Sequence, residues 1–233
     1  MKRILLAVAT VGALVGGGVL ATQLSGEAPD ANAAPAPQRI IIGLDLSRSN
    51  PLIADPAFAA KVADRIAAIV GNLGFASEVH VRTFGNYDAT SNTFAYDTVL
   101  SVRNRPENVA AEIRKLIAGT PYLVRNGKWR AQENTNILAF LDNLSQSIGC
   151  AGMPTTIVLA SDGIEDSDYA RLMRRDAHLP PPDGRPFQGC ADFEILGLGQ
   201  GADSPRLTSH LRGEWGRWAL AAGFARFEGL NDW

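Results

Sequence analysis

The sequence has little of what soft-metal and redox sites are made from: 2 Cys and 3 His in 233 residues. The two cysteines form no paired metal-binding motif, and His80, His178 and His210 share no ligand spacing. An excess of charge is lacking as well. With 22 Lys and Arg against 24 Asp and Glu, the formal net charge is -2. A general nucleic-acid binder needs a basic face to displace counterions, and that class is disfavoured. No nucleophile elbow and no phosphate-binding glycine loop occurs, so no catalytic nucleophile or general base stands out. What is present is the make-up of one ordinary globular domain, 46% hydrophobic and 20% charged.

The first residues follow a different pattern. Lys2 and Arg3 precede an apolar run from Ile4 to about Ala21, the layout of an export signal. Small residues suited to cleavage end at Ala21 and at Ala33, and the run is also nearly long enough to remain in a bilayer as an anchor. No Cys follows it, which argues against a lipid-modified N-terminus. Residues 22–38, "TQLSGEAPDANAAPAPQ", are too rich in Ala, Pro and small polar groups to bury a core and read as a flexible linker. The expectation is an exported chain, periplasmic, secreted or held at the outer face of the inner membrane, whose folded domain spans 39–233.

From Arg39 onward, apolar runs alternate with segments of helical period: "RIIIGLD" (39–45), "EVHVRTFG" (78–85), "TFAYDTVLSV" (93–102), "TTIVLASD" (155–162), "FEILGLG" (193–199) and "FARFEGL" (224–230). Continuous apolar strands of this kind are buried on both faces, which predicts a doubly wound α/β fold with a mainly parallel sheet between two helical layers. Only "NYDATSN" joins the second run to the third, so that pair should be an antiparallel hairpin, while the others leave room for crossover helices. Helical stripes recur at Phe58, Val62, Ile66, Ile69 and Leu73, and at Ile137, Leu138, Leu141, Leu144 and Ile148. Further helices are expected over 106–118, with Pro106 in the first turn, and over 204–222, where Trp215 and Trp218 read as core.

At the end of the first strand stands "DLSRSN". Alone, Asp45, Ser47 and Ser49 mean a turn or a helix cap. Position adds weight, because ligand sites of open α/β sheets lie beyond the carboxyl ends of the strands, where strand order reverses. A second strand ends in "LASDG", which brings Asp162 to the same edge, and "QENTNILAF" puts Thr135 in the first turn of the helix leading into that strand. Three hydroxyls and two carboxylates are hard oxygen donors, suited to Mg2+, or to Mn2+ or Ca2+, rather than to zinc or copper.

This ordered set resembles the von Willebrand factor A (vWA) domain family, whose metal-ion-dependent adhesion site (MIDAS) reads Asp-x-Ser-x-Ser, then Thr, then Asp. The resemblance implies a six-stranded sheet with one antiparallel edge strand. It also implies direct metal ligation by Ser47 and Ser49, Thr135 bound directly or through water, and Asp45 and Asp162 acting mostly through water. An Asp or Glu from a protein partner would complete the coordination. Basic residues on the same upper face suit such a ligand: Arg48 within the motif, and Arg125, Lys128 and Arg130 beside Trp129, with Arg48, Trp129 and Arg130 as the expected contacts. The alternative reading is a metal-dependent hydrolase at the same edge; a third makes the metal structural. The acids in "DGIEDSDY", Glu165, Asp166 and Asp168, read as caps of a helix starting near Ser167. Cys150 and Cys190 each precede a strand, and because those strands are neighbours in the family a disulfide at the lower edge is expected. The segment "DAHLPPPDGRPFQG" (176–189) reads as a rigid surface insertion.

Overall fold

The computed structural model describes residues 35–86, 94–174, 176–202 and 204–233. The expected export signal or anchor, and most of the linker, lie outside the described residues. Among those described, no helix is long and apolar enough to cross a membrane.

Six strands form one sheet in the order β3-β2-β1-β4-β5-β6: β1 (Arg39–Asp45), β2 (Glu78–Phe84), β3 (Ala95–Val99), β4 (Thr155–Ala160), β5 (Asp192–Leu196) and β6 (Arg226–Leu230). All neighbours run parallel except β2 and β3, which pair antiparallel from Glu78↔Val99 to Arg82↔Ala95. This is the doubly wound fold expected from the sequence, with its one antiparallel edge strand, and it is the architecture of a vWA domain.

The period of two along each strand divides the core. Ile40, Ile42, Val79, Val81 and Val158 pack on one face against α2 (Pro56–Gly71) and α3 (Pro106–Ala118), through Val62, Ile66, Ile113 and Ile117. Ile41, Ile157, Leu159, Phe193 and Ile195 point to the other face and meet α5 (Ile137–Ser147) and α6 (Pro205–Ala222), with Trp215 and Trp218 inside this layer as expected. Gly43 is required in the middle of β1, since a Cβ there would lie 2.6 Å from Leu159 and 2.7 Å from Phe140. Both clusters are drawn from Ile40 onward, so the unit Ala34–Trp233 carries its own complete core.

Three local features differ from expectation. Two short helices, α1 (Pro51–Ala54) and α4 (Thr120–Arg125), occupy segments read as turn and loop, each with Pro in its first turn. The connection from β4 to β5 carries no helix among its described residues. Consequently the acids after Asp162 do not cap a helix beginning at Ser167.

Cys150 and Cys190 are disulfide-bonded, with Cα atoms 5.1 Å apart. The bond ties the end of the α5 connection to the entry of β5, at the lower edge of the sheet. Cys150→Ser with Cys190→Ser is expected to lower unfolding stability by about 2 kcal/mol. Urea titration of the oxidised and doubly substituted proteins measures this, and coincident curves would show that the bond constrains nothing.

Candidate metal-binding site

Strand order reverses between β1 and β4, and both strands are buried up to their carboxyl ends. Asp45 is the last residue of β1, and Asp162 lies two residues beyond β4. Asn50 clips the two strand ends together: its side-chain amide donates to the carbonyls of Asp45 (2.9 Å) and Ala160 (3.0 Å). The turn between Asp45 and Asn50 closes on itself. The Ser47 N–H donates to Asp45 Oδ1 at 2.8 Å, and the Ser47 and Ser49 hydroxyls lie 3.4 Å apart, Ser47 buried and Ser49 exposed.

The segment leading to Thr135 is held beside this turn by a short bridge, in which Arg48 N–H donates to the Gln132 carbonyl and Gln132 N–H to that of Leu46, each at 2.9 Å. Thr135 is buried, and its carbonyl accepts from Asp166 N–H at 2.9 Å. The five predicted donors are thereby gathered at one edge, on three segments. Arg48 turns outward to Glu133 at 2.8 Å, both side chains 64% exposed. Arg130 is exposed, whereas Trp129 is half-buried with its ring 5.2 Å from that of Phe94, so only part of its indole faces outward.

Two residues with structural work at the site, Ser161 and Asn50, escaped the sequence reading, and a third, Glu165, was assigned to the wrong helix. Ser161 donates its hydroxyl to Asp45 Oδ2 at 2.7 Å and accepts from Gly163 N–H at 3.0 Å. Asn50 clips the strands as described. Glu165 is buried, and its carboxylate accepts from the N–H groups of Ile137 (2.8 Å) and Leu138 (3.2 Å). It therefore caps a helix, as expected, but the helix is α5, the one that follows Thr135. Burial pushes the Glu165 carboxyl up to about 7, against the opposing pull of Ser167 and those two amides. Glu165→Ala leaves two first-turn donors without an acceptor and should cost about 1–3 kcal/mol. Chemical denaturation checks this; Glu165→Gln, which keeps an acceptor, should recover most of the loss.

The electrostatics of the crevice are those of a site short of positive charge. Burial, then the nearby Asp162 carboxylate, raises Asp45 to about 7, opposed by the Ser161 and Ser47 hydrogen bonds. Asp162 is raised to about 6, again by burial, against the Ile164 N–H and the Ser49 hydroxyl. Asp162 Oδ1 accepts from Ile164 N–H at 2.9 Å; Oδ2 is buried and meets no donor in hydrogen-bonding geometry, although the Ser49 hydroxyl is near enough to lower the carboxyl. Neither carboxylate forms an ion pair among the described residues; the nearest basic residue in sequence, Arg48, is engaged elsewhere. An orphaned anionic oxygen inside a protein is costly and calls for a cation. Among the described residues no three His, Cys, Asp or Glu side chains are grouped to hold one. The remaining ligands would be the hydroxyls of Ser47, Ser49 and Thr135, and a set of hydroxyls with two carboxylates fits a hard divalent ion.

Strand order, antiparallel edge and oxygen-lined crevice together define a doubly wound α/β domain of the vWA type in architecture, with a polar crevice at its switch point. No protein-family model matches the sequence, and no curated protein matches it. Solved structures resemble it at low identity. An aerotolerance-related membrane protein from Bacteroides fragilis is 12% identical, with a TM-score of 0.42, over 83% of this chain and 92% of that one. BatB from Bacteroides thetaiotaomicron gives 12% and 0.42 over 84% and 91%. The ArnB paralog VWA2 from Sulfolobus acidocaldarius gives 12% and 0.43, over 86% of this chain but 43% of that one. The assignment of the fold rests on the strand order, register and layers of this chain.

Proposed function

We propose that this chain is an exported member of the vWA family that binds a protein partner through Mg2+ held at a MIDAS. Ser47 and Ser49 would hold the ion directly, Thr135 directly or through water, and Asp45 and Asp162 chiefly through water. Bound there, the ion would supply an under-neutralised electrophilic centre, because neutral hydroxyls leave most of its charge uncompensated. The observation that carries the reading is Asp162 Oδ2, buried and meeting no donor in hydrogen-bonding geometry beside a second buried carboxylate. Ser161 and the Ser47 N–H fix the Asp45 carboxylate, and Ile164 N–H fixes that of Asp162, so the donors are oriented before a ligand arrives. An Asp or Glu of the partner would complete the coordination, with Arg48, Arg130 and the outer edge of Trp129 at the rim.

Affinity capture of partners by the wild type should require Mg2+ and be lost in Ser47→Ala. Capture that survives both chelation and the substitution would refute the metal bridge. No second reading is carried by a specific observation of the crevice.

A further inference from the structure

The edge of the sheet opposite the crevice presents a surface that nothing above has used. Of the seven large hydrophobic side chains exposed among the described residues, three are found here: Phe75 (55%), Val99 (52%) and Val102 (73%). Phe75 precedes β2, and Val99 and Val102 end and follow the antiparallel β3, so all three lie at the lower edge. Hydrogen bonds join the two segments. Ala76 N–H donates to the Leu100 carbonyl and Leu100 N–H to that of Ser77, both at 2.8 Å. Ala76 has φ 63°, the one non-glycine residue with positive φ among those described. A residue with a Cβ adopts that backbone only against a steric penalty, and here the bend leaves Phe75 outside while Leu73 and Ser77 on either side are buried. In the second segment Ser101 N–H meets the Asn104 carbonyl at 3.0 Å, closing a turn with Val102 and Arg103 at its tip.

Charge accompanies the apolar tips. Arg103, in the turn, and Arg105, just after it, are exposed. Arg103 has no ion-pair partner among the described residues, and Arg105 has only Glu107, at 3.9 Å. The acid opposite Val99, Glu78, is taken up by Arg39 at 2.6 Å. Asp97, two residues before Val99, is paired with Arg82 at 2.8 Å. The path of the chain gives a further indication. Pro35 lies against Gly74, whose position would admit no Cβ because of the Pro35 carbonyl, so the chain enters the domain one residue from Phe75.

We propose that this base is a membrane-contact surface. Phe75, Val99 and Val102 enter the interfacial layer of a bilayer, and Arg103 and Arg105 meet the phosphates of anionic phospholipids, which leaves the crevice at the other edge turned to solution. Apolar tips flanked by guanidinium groups match that interface, where stems and rings are buried and charges stay at headgroup level. The inference stands whether or not the crevice binds metal.

The test uses residues 35–233, which carry both cores and lack the apolar run. Co-sedimentation with vesicles of phosphatidylcholine containing phosphatidylglycerol should show binding that weakens at high salt. Phe75→Ser with Val102→Asp, and separately Arg103→Glu with Arg105→Glu, should each lower the partition coefficient at least about tenfold while the melting temperature stays unchanged; Asp162→Asn should leave the partition coefficient unaltered. No binding to these vesicles, or binding that neither pair of substitutions weakens, overturns the proposal. So does a dimer that forms through the base, is broken by Val102→Asp, and is accompanied by no vesicle binding.

Discussion

Asp162→Asn is expected to raise the stability of the metal-free protein at pH 7.5 and at the same time to weaken its response to Mg2+ sharply. The two effects have one origin. Asp45 and Asp162 are buried together, each with its carboxyl pushed above the ordinary range, and Asp162 Oδ2 meets no donor in hydrogen-bonding geometry. Without a cation, ionising both groups works against the fold. An Asn at 162 keeps an oxygen for the Ile164 N–H and removes one of the two charges. A gain of about 1 kcal/mol would move the melting temperature of a domain this size up by about 2–4 °C. For metal affinity the sign reverses: losing an anionic group around the ion should weaken Mg2+ binding by about 10–100-fold. Melting curves with chelator and with Mg2+ measure both effects. A destabilised variant whose response to Mg2+ is undiminished would mean that Asp162 serves only the local turn.

The second large effect is of pH. Asp45 and Asp162 have ordinary values of 3.8, and the fold raises them to about 7 and about 6. Between these limits the native state holds more protons than the unfolded one. The stability these groups contribute is therefore complete below pH 3.8 and is lost as the pH rises through 6 to 7. Carboxylates held low by basic partners, Glu78 by Arg39 and Asp97 by Arg82, act in the opposite sense at more acid pH. Metal-free protein should thus be most stable in mildly acid solution and lose stability towards pH 7.5, and Mg2+ should restore that loss. Binding must displace the protons of both groups, so Mg2+ affinity should fall by on the order of a thousandfold from pH 7.5 to pH 5. Calorimetric titrations at the two pH values measure the ratio. Equal affinities would show that neither carboxylate faces the ion.

The fold was legible because buried parallel strands are written as uninterrupted apolar runs, and because seven residues between "FG" and "TFAY" leave no room for a crossover. The position of Asp45 and Asp162 at the switch point was legible for a related reason: both follow such runs directly, so their place at the strand ends is set by the strands. The supporting contacts were not. Ser161 stands next to Asp162 in sequence, yet its bond to Asp45 crosses from β4 to β1 and depends on which strands are neighbours. Glu165 was read as a cap for its own segment because capping is a local pattern, and its true partners are 27 and 28 residues away. Trp129 shows the same limit. Its neighbours in sequence are basic, but its contact is Phe94, on the approach to β3.

The most direct test of the central claim is electron paramagnetic resonance of Mn2+ titrated into the folded domain at pH 7.5. One bound ion per chain is expected for the wild type, displaced by excess Mg2+, and both Ser47→Ala and Asp162→Asn should return the spectrum to that of free Mn2+. A bound-ion signal that persists unchanged in both variants, or no bound signal at millimolar protein, would contradict a metal site built from these residues.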